Sequence, residues 1–355
     1  MRIVCLNQDA GIAPGRKKGA AVHLAAMREA FTVQGASVTA LDEADEARVE
    51  PRLAELHASG GIDLVYERYA LGKSRAARFC AAQRIPLALE VNAPLADEEA
   101  RYRGAPVAED WSVRDRELFA GAALVVAVSS EVAKYALERG ARPARTHVRA
   151  NGVDTARFKP RAAGDPVRAR LVPAGRFALG FHGRLRPWHG FGLFARAAEA
   201  LLAGGAPIHL VLIGEGEFEP ELAGRVPPER VTRIPWVEHH EIGPYVASFD
   251  ALPLTYDPDA PCYFSPLKLA EAMACGAVPV LPRLGDLENA ARHDVDALFY
   301  PAGDLSALVS SIRTLLDERE RYARLARGAV ASAQQKSWNA IAAFVLAETL
   351  GASRE

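Results

Sequence analysis

The sequence predicts an α/β protein built of two Rossmann-like, doubly wound halves in series. Three observations predict it. Short β-rich runs alternate with longer helical patterns, which implies right-handed crossovers and mostly parallel sheets. The rhythm pauses at 159–173, a stretch rich in Pro, Arg, Ala and Gly that reads as a linker or hinge, and then restarts. The chain has 355 residues, and at ~100–200 residues per domain that length suits two domains.

In order, residues 2–6 are short and apolar and read as the first strand, followed by a polar Gly/Pro loop to Gly19. Val22, Ala26 and Ala30 share one face of a helix over 22–31. Strands are expected at 37–41, 63–66, 87–91 and 124–128, with Arg/Ala/Glu-rich helices between them. After the linker, strands follow at 177–181, 208–213, 231–234, 251–254 and 277–281. Helices are expected at 191–202 and 267–274, and 338–350 reads as a final helix that pattern alone does not assign to either sheet.

Composition narrows the function. Half of the residues are hydrophobic and 25% are charged, enough apolar content for sizeable cores and not that of a disordered chain. The formal net charge of −1 gives no reason to expect nucleic acid as a partner. A membrane-spanning helix needs ~20 consecutive apolar residues, and clean apolar runs such as 122–128 fall far short. The first residues lack the pattern of a secretory signal. Cys5, Cys80, Cys262 and Cys275 are scattered without a Cys-x-x-Cys pair. That reads as reduced thiols in a cytoplasmic protein, with Cys5 and Cys275 in the core.

In doubly wound sheets, ligands bind beyond the carboxyl ends of the strands, so the loops there carry the chemistry. The first, 7–19, holds Gly11, Gly15 and Gly19 with Arg16, Lys17 and Lys18, and has His23 just after it. A Gly-rich loop opening a helix lets backbone N–H groups approach an anion or a sugar hydroxyl. The spacing matches neither a dinucleotide fingerprint nor a P-loop, and a plain basic surface loop is the alternative. The second, Gly183-Arg184-Leu185-Arg186-Pro187-Trp188-His189-Gly190, sets two arginines among glycines before a helix. Guanidinium forks suit a diphosphate, and an ordinary strand–helix turn is the alternative. The third, Ile213-Gly214-Glu215-Gly216-Glu217, lacks the third glycine of a nicotinamide or flavin site.

The fourth, 263–276, is the most specific. Ser265 is expected to cap a helix with Pro266 as its first residue, leaving the N–H groups of Leu267 and Lys268 to face an anion. Glu271 lies one turn further on, where a carboxylate can accept from two vicinal ribose hydroxyls. A solvated helix charge is the alternative for Glu271 taken alone.

Taken together, these segments resemble the retaining family 4 glycosyltransferases of GT-B fold. Four pieces carry the match in order: Lys18-Gly19-Ala20-Ala21-Val22-His23; Asn151-Gly152-Val153-Asp154 with Phe158 and Pro160; Gly183-Arg184 to Gly190; and Ser265 to Gly276 followed by Val278-Pro279-Val280. They span nearly the whole chain. The resemblance implies two Rossmann-like domains facing across a cleft, with a C-terminal helix crossing back to the first domain. The expected domains are 1–162 with 339–355 on the acceptor side, and 163–338 for the nucleotide sugar.

The resemblance further implies transfer of a sugar, with retained configuration, from a UDP- or GDP-sugar to a hydroxyl of a glycan, lipid-linked or small-molecule acceptor. By position, Gly19 and Gly183 would approach the donor, and Arg184 would pair with its diphosphate. The Leu267 and Lys268 amides would take the distal phosphates and Glu271 the ribose, and backbone near Val237 would face the base. Charge on the leaving diphosphate would be met by Arg184, Arg186 and the helix N-terminus, with Lys268 beside them. The acceptor hydroxyl would attack from the same face and lose its proton to the departing phosphate. No cofactor and no metal motif are implied, and Asp257-Pro258-Asp259 reads as a loop feature.

Three positions depart from the family pattern. Tyr263 stands where the first of two glutamates is usual, which leaves the contact to the transferred sugar open. His189 stands where a lysine is usual, so Arg186 or Lys268 would supply the charge. Asn92 stands after the fourth strand where His or Asp is common, and it can hold a sugar hydroxyl but cannot act as a base. Glu90 or Asn92 is expected at the site. His23 reads either as a sugar contact or as helix packing, and Trp188 as packing for the donor loop. A nucleotide-sugar epimerase, a phosphorylase and a non-catalytic nucleotide-sugar-binding protein are the competing readings. The three basic residues Arg16, Lys17 and Lys18 are a thin basis for contact with an anionic acceptor or for peripheral contact with the inner membrane face. Oligomeric state is not legible.

Overall fold

The computed structural model describes residues 1–12, 19–103, 109–260, 262–263 and 265–351. The expected basic contacts of Arg16, Lys17 and Lys18 lie outside the described residues. The chain divides into two compact units, one comprising Met1–Asn151, Tyr263–Ser265 and Trp338–Glu355, the other Gly152–Cys262 and Pro266–Ser337.

The first unit holds strands β1 (Arg2–Asn7), β2 (Ser37–Asp42), β3 (Leu64–Arg68), β4 (Leu87–Val91), β5 (Leu124–Ala127) and β6 (Thr146–Val148). They form one parallel sheet in the order β2-β1-β3-β4-β5-β6. The direction of winding reverses between β1 and β3, which makes that pair the switch point where such sheets open a crevice. Strands β4 and β5 are buried along their whole length, as expected of a parallel sheet covered on both faces. Leu6, Leu53, Val65, Leu89, Leu118, Phe119 and Val132 form the centre of its core. Helix Trp338–Gly351 packs on helix Gly19–Val33, and the rings of His23 and Trp338 meet edge to face at 4.5 Å.

The second unit holds β7 (Phe177–His182), β8 (Ile208–Ile213), β9 (Val231–Ile234), β10 (Ala251–Pro253), β11 (Val278–Arg283) and β12 (Leu298–Pro301). Their parallel order is β12-β11-β10-β7-β8-β9, with the switch point between β7 and β10. Phe181, Phe191, Phe194 and Phe218 pack around Leu210, Val280 and Leu308 to fill its core. Cys5, Cys80 and Cys275 are buried free thiols. Among the described residues, no helix is long and apolar enough to cross a membrane.

Two expectations are corrected by the structure. Residues 159–173 contain helix Pro166–Leu171, whose start is capped by Asp165 accepting from the Val167 and Arg168 N–H groups at 2.9 and 3.0 Å. A proline at the first helical position resembles a breaker in sequence but is pre-organised for a helix start. Ser265 does not cap helix Leu267–Ala274; Pro266 occupies that position, with φ −75° and ψ 114°. The Ser265 hydroxyl is engaged elsewhere, accepting from the Asn151 N–H at 2.9 Å, while Asn151 Nδ2 donates to the Ser265 carbonyl at 2.7 Å.

Candidate functional site

The second unit gathers its polar side chains at the carboxyl end of β7, beside the switch point. His182 closes that strand and Gly183 follows with φ +96°. The strand ladder then continues into the loop: the Gly183 N–H donates to the Ile213 carbonyl at 2.9 Å and the Leu185 N–H to the Glu215 carbonyl at 2.8 Å. Gly214 lies against this turn with φ +118°, and a Cβ there would stand 2.2 Å from the Gly183 carbonyl oxygen. Gly214 therefore serves close backbone packing, whereas Gly183 serves the positive φ, since a Cβ there would meet nothing within 4 Å. A single turn of 3₁₀ helix, Pro187–His189, then ends at Gly190.

His189 is held inside this turn. The Arg186 N–H donates to its Nδ1 at 2.9 Å, and its carbonyl accepts from the Thr255 hydroxyl at 2.9 Å. Its Nε2 lies 3.1 Å from Lys268 Nζ. Burial, then the charges of Lys268 and Arg186, push His189 down to about 2, so the imidazole is neutral at ordinary pH. Lys268 sits in the first turn of helix Leu267–Ala274 with Nζ 4.3 Å from the centre of the Phe181 ring. Burial pushes it down to about 7, against the opposing pull of Glu271. By position the N–H groups of Leu267 and Lys268 have no intrahelical partner, whereas the Leu269 N–H donates to the Pro266 carbonyl at 3.1 Å, and the helix dipole favours an anion at this end.

Glu271 follows one turn later and is buried. Its Oε2 lies 2.8 Å from His182 Nε2 and its Oε1 2.7 Å from His239 Nε2. Burial alone would raise this carboxyl, but the two imidazoles outweigh it and hold it at about 2. A carboxylate offers roughly four lone-pair positions, so two imidazoles leave it capacity for hydroxyl donors. His239 is only partly buried and lies in the loop that follows β9, two residues past Val237. Arg184 stands apart from this cluster in its bonding. It is exposed and pairs with Glu215 at 2.5 Å. Trp188 is also exposed, with the Arg186 guanidinium 5.9 Å from its ring centre. The Trp188 carbonyl accepts from the Asp257 N–H, and Asp257 in turn accepts from the Asp259 N–H.

The first unit has its own polar centre at the carboxyl ends of β3 and β4. Glu90 is 1% exposed and collects four donors. His23 Nε2 lies 2.7 Å away and Arg68 Nη1 3.1 Å away, while the Tyr66 hydroxyl and Asn92 Nδ2 also donate to it. Burial would raise Glu90, but His23, Arg68 and Tyr66 hold it at about 2. His23 thus joins both packing, through Trp338, and the polar centre. Gly19 begins helix Gly19–Val33. Tyr263 donates through its hydroxyl to Glu98 and packs against the first unit's core, and its carbonyl accepts from Ser129 Oγ at 2.5 Å.

The structure thus brings Arg186, His189, Lys268 and Glu271 into one connected neighbourhood, and His23, Glu90 and Asn92 into another. Tyr263 and Ser265 fall within the first unit, while Pro266 and Leu267 open the second unit's helix. Sequence reading missed His182 and His239 as partners of Glu271, and Tyr66 and Arg68 as partners of Glu90. A signal existed for three of these, because His182, Tyr66 and Arg68 stand at or near the carboxyl ends of expected strands.

Residues 176–318 match the family model described as Glycosyl transferases group 1. The chain is 28% identical over 305 residues to D-inositol 3-phosphate glycosyltransferase 1 of Catenulispora acidiphila, covering 80% of this chain and 71% of that protein. It is 29% identical over 195 residues to GDP-mannose-dependent alpha-mannosyltransferase of Mycobacterium tuberculosis, covering 55% of this chain and 48% of that one. Among solved structures, it is similar to Anabaena HepE in complex with UDP and glucose, with TM-score 0.71 and 21% identity over 99% of this chain and 100% of the other. That likeness establishes the GT-B fold.

Proposed function

We propose, from the premise that the chain is a glycosyltransferase with a group 1 domain at residues 176–318, that it is a retaining, metal-independent hexosyltransferase using a UDP- or GDP-sugar. The second unit binds the nucleotide sugar and the first is the acceptor side. The observation that carries the reading is the neighbourhood at the switch point of the second sheet. There a helix N-terminus, Lys268, His189 and Arg186 stand one turn from a buried carboxylate, Glu271.

The chemistry follows from the order of these groups. The diphosphate takes the Leu267 and Lys268 N–H groups and the Lys268 side chain. The ribose hydroxyls donate to Glu271, and backbone near Val237 faces the base. Arg184 leaves Glu215 for the diphosphate, which exchanges one exposed ion pair of small worth for another. As the glycosidic bond breaks, negative charge builds on the leaving diphosphate, where preorganised donors and cations lower the barrier most. The acceptor hydroxyl attacks from the face the diphosphate leaves and gives its proton to the departing phosphate. Asn92 and His23 orient the sugars, with Glu90 holding both in place.

The acceptor is a hydroxyl of a glycan, a lipid-linked sugar or a small molecule, and relatives named for D-inositol 3-phosphate and for GDP-mannose set the first panel. The protein works in the cytoplasm, with peripheral contact at the inner membrane face if the acceptor is lipid-linked. The test is product formation from UDP-glucose and GDP-mannose with D-inositol 3-phosphate and simple glycosides, in chelator, read by mass and by the anomeric proton signal. An α-linked product from an α-linked donor, formed without metal, is expected. An inverted product, or turnover that needs a divalent ion, contradicts the reading.

A further inference from the structure

The hydrogen bonds around His189 constrain the charge of its neighbour. The Arg186 backbone N–H can only donate, and it points at His189 Nδ1 from 2.9 Å. Nδ1 must therefore present its lone pair, and the neutral imidazole carries its proton on Nε2. That Nε2–H faces Lys268 Nζ at 3.1 Å. An ammonium group has three N–H donors and no lone pair, whereas an amine can accept. The contact closes as a hydrogen bond only if Lys268 is an amine.

The groups facing Nζ agree with this on balance. Phe181 offers a ring face, which favours a cation weakly. Glu271, on the same helix, also favours the cation, but both its oxygens are engaged by His182 and His239. Among the described residues, no carboxylate pairs directly with Nζ. Burial is the largest influence and pushes Lys268 down to about 7.

We propose that Lys268 is uncharged in the empty site and takes up one proton from solvent when a nucleoside diphosphate binds. The resulting ammonium can no longer accept from His189, so the His189 Nε2–H is released to donate to the same phosphates. One neutral pair thereby becomes two phosphate donors, and the cation is made only where an anion has arrived. His189 then does the work of a donor without carrying charge, which explains how the site operates without a second lysine there. This rests on the donor-site reading above.

The test is isothermal titration calorimetry of the full chain with UDP, GDP and ADP at pH 8, in two buffers of different ionisation enthalpy. At that pH a terminal phosphate, with its second ionisation near pH 6, is already fully charged, so proton uptake reports the protein. An uptake of ~0.9 proton per bound diphosphate is expected, the amine fraction for a group titrating near 7. Lys268→Arg should bind with no uptake, and His239→Gln should retain it. Binding without uptake, or uptake that persists in Lys268→Arg, overturns the inference and leaves the donor reading standing. Absence of binding by all three diphosphates overturns the donor reading, and the inference falls with it.

Discussion

Glu271 Oε1 lies 2.7 Å from His239 Nε2, so the carboxylate buried at the second unit's switch point is tethered to a partly exposed loop just beyond Val237. A nucleoside that engages Glu271 must share that oxygen with His239 or displace it. Glu271→Gln keeps the shape and removes the charge. Hydrogen bonds to a charged group contribute about 1.5–3 kcal/mol, so nucleoside diphosphate affinity should fall at least tenfold. His239→Ala leaves the carboxylate in place and should cost less. Titration of both variants with the nucleotide the wild type prefers checks the order, and equal losses would place the ribose elsewhere.

Glu90 should govern stability in acid. Its folded value is about 2 against an unfolded 4.5, so the folded state binds fewer protons. The stability it contributes is present above pH 4.5 and is lost as pH falls from there toward 2. The shift corresponds to about 3 kcal/mol, as an order of magnitude. Glu90→Gln should lower the denaturation midpoint at pH 7 and flatten the acid side of the stability profile. A Glu90→Gln profile parallel to wild type between pH 5 and 3 would contradict this.

Glu67 should act in the opposite sense. It is fully buried, accepts from Gln8 Nε2 at 2.5 Å, and burial raises it to about 8. Gln8 Oε1 and Glu67 Oε2 are both without a hydrogen-bond partner, and a proton on Glu67 would let the acid and the amide pair through both edges. A raised folded value means full stability below pH 4.5, lost progressively as pH rises to 8. Glu67→Gln should therefore raise the melting temperature at pH 8.5 relative to wild type and have little effect at pH 4.5. A lower melting temperature at pH 8.5 would show that the ionised carboxylate is stabilising.

Gly190 is the backbone position with least freedom to change near His189. Its φ is +58°, and a Cβ would stand 2.0 Å from the Thr255 carbonyl oxygen. Gly190→Ala meets a left-handed conformation and a clash with backbone at once. It should cost several kcal/mol, more than the ~1 kcal/mol expected of the left-handed conformation alone. Chemical denaturation checks this, and a loss under ~1 kcal/mol would mean the loop backbone at Thr255 yields.

Much of the architecture was legible because buried parallel strands read as short apolar runs, and 87–91, 208–213 and 231–234 stand as expected. Strands β6 and β12 escaped because Thr146-His147-Val148 is only partly apolar and 298–301 ends in proline. Arg186, Lys268 and Glu271 could be picked out as candidates because each residue type has one obvious use at such a place. The site was not legible where the use depends on a partner distant in sequence. Glu271 and His182 are 89 positions apart, and Asn151 and Ser265 are 114 apart, so no local spacing could pair them. Lys268 illustrates the same limit, because burial pushes it down to about 7 and that burial is set by the fold and not by its neighbours in sequence.

If the second unit binds a nucleoside diphosphate at Lys268 and Glu271, the most direct measurement is thermal stabilisation by UDP, GDP, ADP and their sugars, with NAD as control and no added metal. A ligand at ~100 times its dissociation constant adds about 2.7 kcal/mol, a readily visible shift. The expected result is a shift with one nucleoside diphosphate, reduced in Arg184→Ala and lost in Glu271→Ala. No shift with any diphosphate, or a shift with NAD alone, would contradict the donor site.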